Sequence, residues 1–412
     1  MIKRQPTASS GGRLDGQTRL LLAVNGLFIT AGAFSGTFLG VYIWKASKNF
    51  SLLGWFTLLS YLCMALTFWT AGSAVKRGRK RLVLQLGIFA SAVFYALVLA
   101  LGHRCIAYIV PLGVLQGFAN GLFWVSFNVL YFEVTDAANR DRFNGLAGVI
   151  GALAGMLAPW SSGFLISRMA AETGYRIIFI VSLTVFVLGA VVSFWLRNRP
   201  PGGPYDWRHP IRIWQVPRTP WHSVLTALAV QGVRESVFGL MIGLLVYIQT
   251  GSELKLGNFT LLSSAVSFMS FYAVGRWLKP AWRVKGMLVG AIVITAIVLP
   301  FFFGIRYGTM LAFGVGIGLF FPLYGIPMTS AVFDLIGRNE DSASRREEYV
   351  VVRELALSAG RVFGMIVFLI TIQISRSPAV LNVMLLVVGS APIFSWLLMR
   401  SNLRLSPRRR SA

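Results

Sequence analysis

Twelve long apolar segments, separated by polar connections, run along this chain. A helix needs about 20 consecutive apolar residues to cross a bilayer, and each segment reaches or nearly reaches that length. Hydrophobic residues make up 56% of the chain and charged residues only 13%, which is too apolar for a water-soluble domain of this size. The sequence therefore predicts an all-α integral membrane protein with 12 transmembrane helices. The predicted spans are approximately 20–44, 52–75, 82–101, 106–131, 143–166, 177–195, 224–250, 258–274, 287–304, 310–336, 350–374 and 380–399.

The longest connection, residues 196–221, divides the twelve segments six and six. It is rich in proline, glycine and arginine, a composition typical of turns and linkers. We therefore predict an N-terminal six-helix half over residues 1–199, a cytoplasmic interdomain linker over 200–221, and a C-terminal six-helix half over 222–412.

The two halves carry matching sequence blocks in the same order, which indicates an internal duplication. Because each half contains an even number of spans, both copies enter the membrane in the same orientation. The predicted fold is two parallel six-helix repeats related by an axis along the membrane normal. The matched pairs are VNG at 24–26 with VQG at 230–232, VYI at 41–43 with VYI at 246–248, GWFTLLS at 54–60 with GNFTLLS at 257–263, Gly72 with Gly275, Gly87 with Gly290, and GFANGLFW at 117–124 with GVGIGLFF at 314–321.

The formal net charge of +25 reflects 39 lysines and arginines against 14 acidic residues. Most of the basic residues lie in the two tails and in the even-numbered connections. Because basic residues concentrate on the cytoplasmic side of membrane proteins, we predict a multi-pass plasma-membrane protein with both termini in the cytoplasm. This topology accounts for the charge without a nucleic-acid partner. The expected partners are the lipid bilayer, a small-molecule substrate and protons, and we expect a monomer.

The sequence contains no pattern typical of an enzyme, a metal site or a cofactor site. Cys63 and Cys105 lie in or beside apolar segments without metal-ligand spacing. His103, His209 and His222 have no accompanying set of metal ligands. A Walker-type phosphate loop is also missing, which excludes transport driven by the protein's own ATP hydrolysis. We therefore expect neither catalysis nor a bound metal or cofactor.

Two local patterns contain glycines at regular positions. One follows the second span, and the other fills the fifth span ahead of a proline. Small residues let helices approach closely and proline bends a helix, although the same spacing also occurs in purely structural contacts. The residues concerned are Gly72, Lys76, Arg77, Gly78 and Arg79 after the second span, and Gly151, Gly155 and Pro159 in the fifth.

With these patterns the chain resembles the major facilitator superfamily of secondary transporters over essentially its whole length. The basic loop looks like that family's loop between helices two and three, and the fifth span looks like a motif associated with its antiporters. The resemblance implies transport by alternating access. The chain departs from the family at one point, because either Lys76 or a deleted position stands where an acidic residue usually helps to latch the cytoplasmic gate. A latch of that design is therefore in question.

Several ionisable residues fall within the predicted spans, where charge is costly and typically functional. Two adjacent residues, one basic and one acidic, lie in the middle of the seventh span. In the eleventh span, Glu354, Ser358 and Arg361 recur at helical spacing and share one face. The candidates for proton coupling are Arg234, Glu235, Arg353, Glu354 and Arg361.

Arg361 and Glu235 have about the same predicted depth, so we predict that they meet, with Glu354 pairing nearer the cytoplasm with Arg234 or Arg353. A paired arginine keeps a carboxylate ionised, whereas a desolvated carboxylate without a partner takes up a proton more readily. Such an exchange of partners is what proton coupling requires. The alternative is a static ion-pair network that holds the second half together.

Polar and aromatic residues on spans one, four, seven and ten are candidates to line a central cavity. They are Asn25, Asn120, Trp124, Asn128 and Tyr131 in the first half, and Gln231, Phe321, Tyr324 and Thr329 in the second. At the cytoplasmic ends of spans four and ten, Glu133 and Asp334 are predicted gate or cap residues. The amides and aromatic rings favour an amphipathic or cationic compound, whereas the arginines favour an anion.

The function predicted from these features is proton-coupled efflux of a small amphipathic or drug-like molecule. Two alternatives keep the same fold: uptake or facilitated diffusion of a nutrient, and movement of a glycolipid headgroup. An alternative of a different class is a membrane scaffold or sensor that does not transport.

Overall fold

The structure is a computed structural model that describes residues 14–135, 139–198, 204–217, 219–336, 345–375 and 377–404. All regular elements among these residues are helices. The first half contains α1 (Gly16–Ser47), α2 (Phe50–Ala74), α3 (Lys80–Leu101), α4 (Ile109–Val134), α5 (Arg140–Arg168) and α6 (Ala171–Ser193). A short helix in the predicted linker, α7 (His209–Gln215), precedes the second half.

The second half repeats this arrangement with one helix divided. It contains α8 (Pro220–Thr250), α9 (Glu253–Trp277), α10 (Arg283–Ala296), α11 (Tyr307–Ile336), α12 (Arg346–Ile374), α13 (Pro378–Gly389) and α14 (Ala391–Arg404). The span predicted over 380–399 is thus divided at Ser390 between α13 and α14. Pro392 lies just beyond the break, and a proline has no N–H group to continue the hydrogen bonding of the preceding helix.

Polar side chains fix the points at which several helices begin, as expected for residues that accept hydrogen bonds from free backbone N–H groups. Asp15 accepts a bond from the N–H of Thr18 at the start of α1, and Thr219 does the same for His222 at the start of α8. Gly78, between α2 and α3, has a φ of 87°. Because residues with a Cβ rarely adopt that conformation, this glycine allows the tight connection between the two helices.

Nine stretches of the described residues are long and apolar enough to cross a membrane. One of them, Phe50–Val134, contains the three helices α2, α3 and α4. Helix α9 is not among the nine, since several serines lower its hydropathy, but it packs within the bundle beside α5 and α11. This arrangement is consistent with the twelve predicted spans.

Helix pairs within one half recur in the other, which is the packing expected of parallel repeats. In the first half α2 packs on α4, α3 on α4 and α6, and α1 on α5 and α6. The matching contacts in the second half join α9 to α11, α10 to α11 and α14, and α8 to α12 and α14. The halves meet through α2 with α12 and α5 with α9, two contacts that the repeat also relates to each other.

Hydrogen bonds between helix ends identify one face of the bundle, which we call the terminal face. There the Thr18 hydroxyl donates to the Val134 carbonyl (2.9 Å) and the Asn402 amide donates to the Pro220 carbonyl (3.4 Å). The beginnings of α1 and α8 and the ends of α4 and α14 therefore lie together. The opposite face, where α1 and α8 end, is called the far face.

Glycines of the fifth-span pattern differ in how closely they bring the two halves together. A Cβ on Gly163 of α5 would lie 2.5 Å from the carbonyl oxygen of Glu253 on α9. A Cβ on Gly151 would have nothing within 4 Å, and one on Gly155 would meet only the Ser264 hydroxyl, at 3.8 Å. Gly155 nevertheless lies at the interface, because its carbonyl accepts a hydrogen bond from the Ser264 hydroxyl (3.2 Å). The tightest backbone approach between α5 and α9 is at Gly163, in the same fifth-span pattern.

Within the second half, α8 and α12 pack with almost no space between their backbones. A Cβ on Gly360 would lie 1.7 Å from the Ala229 carbonyl oxygen, and one on Gly232 would lie 2.2 Å from the Leu357 carbonyl oxygen. Backbone atoms cannot move aside as a flexible side chain can, so each glycine is required for this contact.

We predict that Gly360→Val forces α8 and α12 apart and lowers the free energy of unfolding by about 3 kcal/mol, the upper end of the usual overpacking penalty. The melting temperature of the purified protein measures this. Gly275→Ala on α9 is the matched control, because a Cβ there meets nothing within 4 Å. Equal melting temperatures for the two variants would contradict the packing described.

Candidate functional site

A cavity of about 470 Å³ lies between the two halves, bounded by α1, α2, α4, α8 and α9. Its walls combine aromatic rings with uncharged polar groups, and no Asp, Glu, Lys or Arg is among its lining residues. The rings include Phe56, Phe238 and Phe259, and the polar groups include Thr37, Thr57, Ser60, Tyr61, Gln116, Asn120 and Thr260. Such walls suit a molecule with an apolar body and a few hydrogen-bonding groups.

The best-matched block of the internal repeat supplies opposite walls of this cavity. Phe56 and Thr57 come from the first copy, and Phe259 and Thr260 occupy the same positions in the second. In the sequence, this block indicates the duplication. The phenylalanine and threonine retained in both copies are also a sequence signal for residues that line the cavity.

Of the nine predicted cavity residues, Asn120 is the one that lines this cavity. Asn25, Gln231 and Tyr324 are buried inside their own halves. Trp124, Asn128, Tyr131 and Phe321 are partly buried, with Trp124 packed on Phe28 and Phe123, and Thr329 is exposed. The missed residues include four on α2, where Phe56, Thr57, Ser60 and Tyr61 recur at helical spacing on one face.

An arginine shared by two carboxylates lies toward the terminal face from the cavity. Arg361 on α12 donates from Nε to Oε2 of Glu235 on α8 (3.0 Å), and from Nη1 to Oε1 of Glu354 (2.5 Å). Its guanidinium also lies over the ring of Tyr61, 5.5 Å from the centroid. Since Tyr61 lines the cavity, this ion triad adjoins the cavity and touches the first half.

The two carboxylates of the triad differ in their access to solvent. The side chain of Glu235 is 46% exposed and that of Glu354 only 9%. Glu235 precedes Gly239 and Ile242 by four and seven residues, and both of these line the cavity, so Glu235 lies on the same helix face. Glu235 is therefore the more exposed of the two carboxylates and lies on the cavity side of α8.

The predicted meeting of Glu235 with Arg361 is present in the structure. Of the two partners predicted for Glu354, Arg234 is not bonded to it, and the pairing with Arg353 stays a prediction. Glu354 instead bonds to Arg361, because seven residues bring both to one face of α12. Arg234 is buried, and its guanidinium lies 4.7 Å from the ring centroid of Phe238. Arg353 is partly buried.

Buried ion pairs join the halves at the terminal face. Lys76, at the end of α2, pairs with Glu348 of α12, and both side chains are almost fully buried. Lys80 pairs with Glu133 of its own half and lies 3.9 Å from Glu347 of the other. The acid expected by family resemblance is thus replaced by a lysine, and its partner across the interface is acidic.

The other predicted gate residues do not contribute to this contact in the same way. Arg77 and Arg79 are exposed, and Gly72 packs against Val351 and Tyr205. The side chain of Asp334, predicted as a gate residue, lies outside the described residues. Pro159 is buried within α5, and its carbonyl lies 3.0 Å from where a Cβ on Gly257 would be.

The linker covers the terminal-face ion pairs. The backbone N–H of Asp206 donates to Oε1 of Glu348 (3.4 Å), and Trp207 packs edge-on against Trp69 of α2. Tyr205 is packed beside Gly72, and burial raises the pKa of its hydroxyl, with a further contribution from the negative charge of Glu348. The linker therefore restricts access of water to Lys76 and Glu348.

A second group of ionic contacts between halves lies at the far face. Lys45 at the end of α1 donates to Oε1 of Glu253 at the start of α9 (2.9 Å), and the Tyr175 hydroxyl donates to the same oxygen (3.1 Å). Trp44 packs edge-on against Tyr247 nearby. At both faces, therefore, the first half supplies lysine and the second half supplies glutamate.

Two related six-helix halves around a central cavity, with ionic contacts between the halves at both faces, define a membrane protein of the transporter class. The family model of the Major Facilitator Superfamily matches residues 21–343. The chain belongs to this superfamily, and its fold supports a secondary transporter. This confirms the resemblance inferred from the sequence.

Two bacterial relatives match by sequence. YqgE of Bacillus subtilis (strain 168), described as an uncharacterized protein, is 35% identical over 375 residues, or 90% of this chain and 86% of the relative. An uncharacterized protein in the sodM 3' region of Geobacillus stearothermophilus is 38% identical over 161 residues, or 39% of this chain and 75% of the relative.

Two solved structures share the fold at low sequence identity. The E. coli fucose:proton symporter FucP superposes with a TM-score of 0.65 at 13% identity, covering 93% of this chain and 98% of the symporter. A bacterial homologue of the iron transporter ferroportin, in an outward-facing state, gives a TM-score of 0.67 at 14% identity with the same coverage of both chains. At these identities the similarity establishes the fold alone.

We predict that Glu348→Lys weakens the terminal-face contact, since losing one member of a buried ion pair typically costs about 3–5 kcal/mol. The double variant Lys76→Glu with Glu348→Lys restores the pair in opposite polarity and recovers much of the lost melting temperature. Arg77→Glu is the control, because Arg77 is exposed beside the pair. If the double variant melts no higher than Glu348→Lys alone, the two residues do not form this pair.

Proposed function

We propose that this protein is a proton-coupled secondary transporter that exports a small amphipathic organic molecule by alternating access. The observation that carries the proposal is the half-exposed carboxylate of Glu235, which shares Arg361 with the buried Glu354 beside the cavity. When Glu235 takes up a proton, Arg361 still has Glu354 as a partner. Proton binding therefore leaves no unpaired charge at Arg361.

The contact between Arg361 and Tyr61 supports coupling between this proton and the conformation. Arg361 belongs to the second half and Tyr61 to the first, so a movement between the halves changes the surroundings of the triad. Such a movement would change the charges and the solvent around the two carboxylates, which is the coupling that the proposal requires. The ionic contacts at the two faces, Lys76 with Glu348 and Lys45 with Glu253, are the proposed gates.

The walls of the cavity support the substrate class. Aromatic rings alternate with hydroxyl and amide groups, and the charged residues lie beyond the lining. A substrate with an apolar body loses little hydration on entering such a site, while hydrogen bonds from Thr57, Gln116 or Asn120 would orient it. Support for export comes from the fifth-span pattern around Gly151, Gly155 and Pro159, which resembles that of antiporters.

Proteoliposomes with an imposed pH gradient test the proton site, with a cationic and an anionic amphipathic fluorescent dye as probes. We expect the wild type to move a dye in the direction opposite to the proton flow. Glu235→Gln should abolish this gradient-driven movement but still bind the dye. Glu172→Gln is the matched control, because Glu172 is an exposed acid at the far face, away from the cavity. It is expected to transport as the wild type does.

Gradient-driven transport that is unchanged in Glu235→Gln would overturn the assignment of the proton site. Movement of the dye in the same direction as the protons would contradict export and favour uptake. A filled site that binds no dye and moves none would favour the scaffold or sensor alternative.

We further propose that the terminal face is cytoplasmic, which the basic residues around Lys76 support. Single cysteines at two exposed positions, Lys279 and Arg306, flank α10 at opposite faces of the bundle. In a background with both native cysteines replaced, a membrane-impermeant maleimide should label Arg306→Cys in intact cells and Lys279→Cys only after permeabilisation. The reverse labelling would invert the proposed orientation.

A further inference from the structure

We propose that Arg234, buried inside the second half, binds a small monovalent anion, either an inorganic halide or a carboxylate group on a transported molecule. Arg234 is 6% exposed. Among the residues that the structure describes, it has no carboxylate partner, whereas the buried cations Lys76, Lys80 and Arg361 each have one. Glu235 acts on the guanidinium electrostatically without forming an ion pair with it. A buried guanidinium without a directly bonded anion is costly, and a bound anion would lower that cost.

The polar atoms around Arg234 support the same conclusion. Gln231 lies three residues earlier on the same face of α8, and Tyr324 of α11 interacts electrostatically with the guanidinium. The Nε of Arg234 is buried and lacks a hydrogen-bond partner among the described residues. This atom is an N–H donor, so the partner that Arg234 requires is an acceptor.

The internal repeat shows that the fold itself does not require a charge at this position. The first-half equivalents of Arg234 and Tyr324 are Phe28 and Phe127, as the matched blocks VNG with VQG and GFANGLFW with GVGIGLFF establish. Phe28 and Phe127 are buried, and each stacks on Phe123. The first half thus fills the equivalent space with aromatic rings, whereas the second half places a cation and a hydroxyl there.

The position of Arg234 places this site beside the cavity and apart from the proton site. The guanidinium of Arg234 lies on one side of the Phe238 ring, and Phe238 lines the cavity. Glu235, the adjacent residue, is directed to Arg361 instead. A single unpaired positive charge selects a monovalent anion, because a divalent one would leave a buried negative charge uncompensated.

Thermal unfolding of the purified full-length protein tests this site, monitored by tryptophan fluorescence. Chloride or acetate replaces the bulky anion isethionate at constant sodium concentration. We expect the wild-type melting temperature to rise saturably by a few degrees with one of the two anions, since a ligand that binds only the folded state stabilises it. A stronger effect of chloride indicates a free halide, and a stronger effect of acetate indicates a carboxylate group.

Two variants at Arg234 and two controls make the result specific. Arg234→Gln and Arg234→Phe should lose the anion-dependent shift, and Arg234→Phe should fold because Phe28 occupies the equivalent position. Arg276→Gln, at an exposed arginine on α9, should keep the full shift. Glu172→Gln, at an exposed acid of the far face, should keep it too.

The absence of any chloride or acetate effect on the wild type would overturn the proposal. An equal shift in the wild type and in both Arg234 variants would also overturn it, because the anion would then act elsewhere.

Discussion

The arrangement of this protein depends on the sharing of one guanidinium, that of Arg361, between two carboxylates beside the central cavity. Charges at this depth are tolerated only when paired, and the triad of Glu235, Glu354 and Arg361 has one more negative charge than positive. Protonation of one carboxylate removes the excess. The more exposed Glu235 is suited to that exchange, and the buried Glu354 keeps Arg361 in place.

This local balance becomes relevant to transport because the triad belongs to one half and contacts the other at Tyr61. The remaining ionic contacts between halves lie at the two faces, with lysine from the first half and glutamate from the second in each case. Alternating access requires that one set of contacts open while the other remains closed.

The fold could be predicted almost entirely from the sequence, because lipid imposes long apolar helices and the duplication leaves matched blocks such as GWFTLLS and GNFTLLS. The meeting of Glu235 with Arg361 also followed from depth and helical spacing. The cavity walls did not, since lining α2 residues such as Thr57 and Tyr61 differ little in type from residues that face lipid or protein. The partners of Lys76 and Glu354 depend on how the helices rotate and cross, which periodicity does not determine.

Infrared difference spectroscopy on oriented membranes of the purified protein measures the central claim most directly. Acidification should produce a carbonyl stretching band of a protonated carboxyl group that is present in the wild type and in Glu354→Gln, and lost in Glu235→Gln. A band that persists in Glu235→Gln would place the exchangeable proton on a different residue and contradict the mechanism.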